Sequence, residues 1–298
     1  MAGNKVLTDQ TISARRVYDP APEGRGLQPL GLAERVDELV PIRHVIRARI
    51  GFAPQFDDAV YRLSSGGGAA MSPHVCALHF GDHLSLTIDP RRLTHRLSDQ
   101  LVEGAGVRRT DRYFLDGGGW ERVLFPVGES PVHGEILDIC RTRSDFRKTS
   151  RYRWLVKQIE QGRPMARSGI RLDTVAKLDG YFSYYLDLVQ SIERVGIVPR
   201  KRMRFGQHTG RAHRSTRTVW RDLIERDIGV AVCPNGTLVR HTSGRHRVAA
   251  AVGLGLERIP VEVRMVHAQW LASEARRLGM TPAKALPLAL AALANSPA

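Results

Sequence analysis

The clearest sequence of apolar runs and polar breaks lies near the C-terminus. Ile228 to Cys233 is an apolar run of strand length. Pro234-Asn235-Gly236 has hairpin chemistry, because Asn and Gly tolerate positive φ, and Thr237 to Val239 resumes in β-favouring residues. Thr242 to Arg247 is polar and contains Gly244. It hands the chain to Val248-Ala-Ala-Ala-Val252, whose composition predicts a helix ended by Gly253 or Gly255. Ile259 to Val263 predicts a further strand. Strand, turn, strand, loop, helix, strand is an α/β (α+β) order.

Upstream, Asp179 to Val195 is the strongest amphipathic helix, with Tyr181, Tyr184, Tyr185, Leu188 and Ile192 on one face and Gly196 as its stop. Glu135 to Gln161 predicts helix in two pieces broken around Thr149. On the second piece, Tyr152, Leu155 and Ile159 make a core stripe. Arg151, Arg153, Trp154 and Lys157 equally make a face that can stack on bases and pair phosphates. His83 to Asp89 alternates as a half-buried strand that Pro90 ends, Val123 to Phe125 is strand-like, and Ile42 to Ile50 alternates as a strand. A short helix is expected over 31–40 and another over 218–226. After the last strand, a helix is expected through Arg277, led in by His267 and Trp270. Those two residues either close a site or pack the helix down. The expected organisation is a Gly- and Pro-rich arm over 1–30 and a mixed α and β accessory region over 31–134. An α/β domain over 135–280 follows, carrying a basic insertion at 199–217, and then a tail over 281–298 that is helical at first.

Charge changes this picture by its distribution. The formal net charge is +15. Residues 1–140 carry 16 Lys and Arg against 18 Asp and Glu, residues 141–217 carry 19 against 6, and residues 218–298 carry 10 against 6. The excess belongs to the middle segment, which implies an anionic partner. Between Glu193 and Asp222 there is no acidic residue. Arg200, Arg202, Arg204, His208, Arg211 and His213 stand in that gap as candidate contacts to a substrate or a phosphate, expected to order on an anion as a lid or a grip. Cys76, Cys140 and Cys233 are widely spaced and odd in number, which suits buried thiols in a reducing cytoplasm. Residues 1–10 lack the apolar core of a secretory signal, and the apolar run at 285–294 is too short to span a bilayer, so no membrane partner is expected. His74, His79, His83 and His95 do not have metal-ligand spacing, and no metal site is assigned to them.

A glycine loop that opens a helix, with Arg245, His246 and Arg247 beside it, is a candidate phosphate site. The helix dipole and its amide groups favour an anion there. Gly244-Arg-His-Arg247, then Ala249-Ala250, Leu254-Gly255-Leu256 and Ile259-Pro260-Val261, resembles the ParB/sulfiredoxin superfamily. Leu188-Val-Gln-Ser-Ile-Glu-Arg-Val-Gly-Ile197 is similar to that family's earlier helix motif. The resemblance covers about residues 175–266. It implies a small α/β nucleotide-binding fold, whose members bind CTP or ATP, phosphorylate free serine, reduce sulfinic acid, or bind and cut DNA.

The loop departs from each of these relatives. Arg245 stands where sulfiredoxins carry their attacking Cys, and where the CTP-dependent ParB clamps carry Glu. Ser243 stands where the free-serine kinases carry Asp. The binding part remains: Thr242, Ser243, Gly244, Arg245, His246 and Arg247 as contacts to a nucleotide, ATP or another nucleoside triphosphate with Mg²⁺. Glu193 and His246 are the candidate catalytic groups. The expected function is a nucleotide-dependent enzyme that transfers a phosphoryl group to a small molecule or protein. The alternative is a DNA- or RNA-binding protein or nuclease that uses the basic segment 141–217.

Overall fold

The structure, a computed structural model, describes residues 19–20, 45–46, 48–67, 71, 73–103, 106–167, 170–199, 227–241 and 243–296. Most of the expected arm, the expected helices over 31–40 and 218–226, Thr242, and the insertion from Arg200 onward lie outside the described residues.

The first half supplies β1 (Asp19–Pro20), α1 (Phe52–Ser64), α2 (Pro73–Phe80), β2 (Ser85–Ile88), β3 (His95–Leu97), β4 (Gln100–Glu103), β5 (Gly106–Arg109), β6 (Leu115–Asp116) and β7 (Leu124–Pro126). Helices α3 (Pro131–Thr142) and α4 (Ser150–Glu160) follow, then β8 (Ala166–Arg167), β9 (Ile170–Arg171) and α5 (Val175–Val195). The last part is β10 (Gly229–Val232), β11 (Leu238–Arg240), α6 (Arg245–Gly253), β12 (Ile259–His267), α7 (Ala268–Leu278) and α8 (Pro282–Asn295). The chain is thus a mixed α/β protein. One expectation is overturned: residues 45–46 and 48–49 are helical, where the alternation of 42–50 reads as a strand. In that turn Ala48 is buried while Ile46 and Ile50 stay exposed, so one helical face is covered and the other left to solvent.

Strand order in the main sheet is β2-β12-β10-β11-β3-β7, and β6 pairs with β12 off this path. The pairs β10/β12, β11/β3 and β12/β6 are parallel, and the others antiparallel. The sheet therefore takes strands from both sides of the boundary expected at 134/135, which runs through a shared sheet and not between two units. Its core does the same. Phe56 and Val60 of α1 and Phe80 of α2 pack in one cluster with Val230, Val232, Val261 and Val263, covered by Leu271 of α7 and Leu286 of α8. Helix α8 thus has a buried face and is more than a tail. On the opposite sheet face, Leu97, Leu101, Trp120 and Val123 pack against Ala231, Val239 and Met265.

A β-bulge explains how β12 serves both faces. Val230 pairs with Val263 but Ala231 pairs with Met265, so Arg264 is the extra residue. A one-residue slip in a period of two reverses every later side chain. Val261 and Val263 accordingly face the α1/α7/α8 side, and Met265 faces the Trp120 side.

A second lobe is helical. Helices α3, α4 and α5 enclose Ile136, Ile139, Phe146, Tyr152, Leu155, Tyr181, Phe182, Tyr185 and Ile192, and α6 joins them through Ala249 and Ala250. The break at Thr149 is real. Thr149 Oγ1 accepts from Tyr152 N–H at 3.2 Å, which caps α4. Glu135 is fully buried, accepting from Arg151 Nε at 2.8 Å and from Tyr181 Oη at 2.9 Å. Because α6 has Val248 and Ala251 on the sheet side and Ala249 and Ala250 on the helical side, it is the wall between the lobes. Four small or β-branched residues in a row fit a helix covered on both sides.

Candidate functional site

The loop that opens α6 is held from behind. Gly244 is its N-cap with φ 84°, and a Cβ there would lie 2.7 Å from Ile228 Cγ1 and 3.0 Å from Ile228 Cα. Glycine is required twice, for the left-handed backbone and for the close approach. Ser243 Oγ donates to the Asp227 carbonyl at 2.7 Å and accepts from Gly229 N–H at 3.3 Å and Arg264 Nη1 at 3.0 Å. Arg264, aimed there by the bulge, also donates through Nη2 to Asp227 O at 2.8 Å and Glu262 Oε2 at 3.0 Å. The expectation that the Ser243 hydroxyl contacts phosphate is therefore corrected: it braces the loop. Behind it His241 is fully buried, and desolvation, with the Arg264 charge, depresses its pKa to about 3.

In front of α6 the structure assembles residues that the sequence reading did not select. Arg240 and Arg96 are registered partners on the parallel strands β11 and β3, so their side chains leave the sheet together. Like charges so placed repel. Arg240 is buried, 7% exposed, and donates to its neighbour's carbonyl, His241 O, at 3.0 Å. Neither arginine is paired with a carboxylate among the described residues. Burial, opposed by Asp99 but reinforced by the charges of Arg96 and Arg245, lowers the Arg240 pKa to about 10. Arg96 lies over the Phe125 ring, 4.7 Å from its centroid.

Asp99, in the bend after β3, faces the charges of Arg240, Arg96 and Arg245. Its side chain is exposed, yet its pKa is raised: desolvation by the atoms crowded around it outweighs the three guanidinium groups, and Asp111 adds to the rise. Arg109 holds Asp111 at 2.6 Å and keeps that carboxyl below its usual range despite burial. His133, in the first turn of α3, has its pKa lowered by desolvation and by the Arg240 charge.

Helices α3 and α6 pack side by side. Cys140 Sγ approaches Ala250 O at 3.9 Å, and a Cβ on Gly253 would lie 2.7 Å from Cys140 Sγ and 3.2 Å from Leu137 Cδ2, so the C-terminal halves touch. At the other end His133 and Arg245 both face Arg240. Neither helix N-terminus has a side-chain cap from its N-cap residue. Each carries about half a positive charge. Among the described residues the arrangement gathers Arg96, His133, Arg240 and Arg245 around Asp99.

The residues expected to form the site are placed as follows. Arg245 is exposed and belongs to the cluster. His246 turns the other way and stacks on Tyr185 of α5, ring centroids 4.2 Å apart. Arg247 is half-buried in the first turn of α6. Glu193 is exposed and pairs with Arg143 at 2.7 Å. Both of these residues act on Cys140, which packs on the C-terminal end of α6, so Glu193 and the loop stand at opposite ends of that helix. Thr242, Arg200, Arg202, Arg204, His208, Arg211 and His213 lie outside the described residues. His267 is fully buried, with Nε2 on Gly118 O at 3.0 Å and Nδ1 accepting from Gln269 N–H at 3.1 Å, so it caps α7. Trp270 is buried and packs under the hairpin turn at Gly236. His79 Nδ1 meets Ala48 O at 2.9 Å and His95 Nδ1 meets Thr94 Oγ1 at 3.0 Å. Among the described residues no group of three or more His, Cys, Asp or Glu is placed to hold a metal ion. None of their helices is long and apolar enough to cross a membrane.

Comparisons with protein-family models, with curated proteins and with solved structures each found no match.

Proposed function

We propose that this chain is a nucleotide-binding, ParB/sulfiredoxin-like enzyme that transfers a phosphoryl group from ATP or another nucleoside triphosphate to a small molecule or protein. The observation that carries the reading is the glycine-capped N-terminus of α6, with Arg245 beside it and the buried Arg240 next to it. A phosphate chain needs positive charge fixed in advance. Here the charge sits on rigid elements, held by the Ser243–Arg264 brace. Mg²⁺ would arrive with the nucleotide, bound through its phosphates. The strand–loop–helix–strand run from β11 to β12 has the order that the family resemblance implies.

The test is calorimetric titration with Mg²⁺ complexes of ATP, CTP and GTP against the wild-type chain and Arg245→Ala. A single nucleotide binding in the micromolar range and weakening at least about tenfold in the variant supports the reading. Equal affinity for both proteins, or no binding, sinks it. The nucleic-acid reading finds less support in the described part of the basic segment. Arg141, Arg143, Arg147, Lys148, Arg151 and Lys177 are each paired with a carboxylate. On α4, Arg151 is folded over Trp154 at 4.3 Å while tied to Glu135.

A further inference from the structure

The α6 loop accounts for one side of the anion site. The other side belongs to segments far away in the chain. Arg96 and Arg240 are registered cross-strand neighbours, Arg240 is more than nine-tenths buried, and neither pairs with a carboxylate among the described residues. His133, in the first turn of α3, is near enough to feel the Arg240 charge. A fold that buries one guanidinium beside another concentrates positive potential, which among the described residues Asp99 offsets in part from an exposed position.

We propose that Arg96, Arg240 and His133, with the N-terminus of α3, form a phosphate subsite that continues the α6 loop and takes the far end of a polyphosphate chain. Asp99 is its resident anion. The incoming phosphate takes over the compensation of the buried charge that Asp99 supplies in part. The ligand class is a linear di- or triphosphate, free or carried by a nucleoside, because the basic groups are spread over two helix ends and two strands. The inference rests on reading the α6 loop as an anion site, but not on the ligand being a nucleotide.

Affinities for orthophosphate, pyrophosphate and tripolyphosphate, measured by calorimetry on the full chain at fixed ionic strength, test it. Tripolyphosphate is expected to bind most tightly and orthophosphate least. Arg240→Met and Arg96→Met each weaken tripolyphosphate binding at least about tenfold. Arg96 is only half-buried, so its variant keeps the test sound if Arg240→Met does not fold. Asp99→Asn is the discriminating variant. It removes the resident negative charge and is expected to tighten binding several-fold, roughly tenfold at most, whereas a carboxylate that merely held the loop would weaken it on removal. Arg277→Met, on α7 and paired with Glu274, leaves affinity unchanged. If no phosphate species binds, or if binding ignores Arg96→Met and Arg240→Met, the subsite is overturned. If ATP binds and depends on Arg245 alone, the subsite falls while the proposed function stands. If tripolyphosphate binds through the cluster and no nucleotide does, the subsite stands and the nucleotide reading falls.

Discussion

At the scale of single residues, Gly244 in the loop and His241 behind it set its shape. Gly244→Ala places a methyl group against Ile228 on a left-handed backbone. The expected cost is about 2–4 kcal/mol, read as a lower urea midpoint at unchanged slope. His241 makes stability depend on acid. An unfolded imidazole takes its proton near pH 6.5, whereas the buried His241 does not until about pH 3. Between those values the unfolded chain binds more protons. The contribution of His241 is therefore complete above about pH 6.5 and is lost as pH falls toward 3, by up to about 1.4 kcal/mol per pH unit. His241→Gln is expected to flatten that decline in urea titrations at pH 7, 5 and 4, whatever it costs at neutral pH. Gly244 and Arg245 could be read from the sequence because a glycine loop before a small-residue helix is a local pattern. Arg240, Arg96, Asp99 and His133 could not. Each is an ordinary polar residue within or beside a short element, and only the pairing of β11 with β3 and the packing of α3 on α6 bring them together.

Among the elements, those whose signal was local came through with small shifts of boundary: α5 with its stop at Gly196, the α3/α4 break at Thr149, the β10–β11 hairpin, and α6. Where context decides, the sequence signal was weaker. The run from Ile259 shows an apolar alternation that fails after Val263, because the bulge at Arg264 changes the face, and the strand continues to His267. The apolar alternation of 42–50 fits a strand as well as the helical turn that is present, as short runs do. The helical lobe hangs on the buried Glu135. Glu135→Ala leaves Arg151 and the Tyr181 hydroxyl without their acceptor and is expected to cost about 2 kcal/mol. The Arg151 side chain keeps 24% exposure, so water takes part of the load. Replacing the ion pair together, Glu135→Leu with Arg151→Met, is expected to cost less than Glu135→Leu alone, which chemical unfolding of the single and double variants would show. Thr149→Ala is expected to cost about 1 kcal/mol through the lost α4 cap, by the same measurement.

For the whole molecule, one sheet and one core cross the boundary that composition suggested. A fragment of residues 135–298 loses β2, β3, β6, β7 and the α1 cover at once. It is expected to show no cooperative thermal transition and no near-ultraviolet circular dichroism, whereas the full chain shows both. The same layout sets a timetable for a chain emerging from the ribosome. The central strands β10, β11 and β12 are made last, and the strands that wait for them are made first: Ile88 pairs with Ile259, and Arg96 with Arg240. Loop closure over such spans is slow, and strands without partners are prone to pair wrongly. Nascent chains stalled before residue 267 should stay open to protease throughout the first half and bind holding chaperones. Protection should then arrive for both halves together, once the last strand has left the exit tunnel.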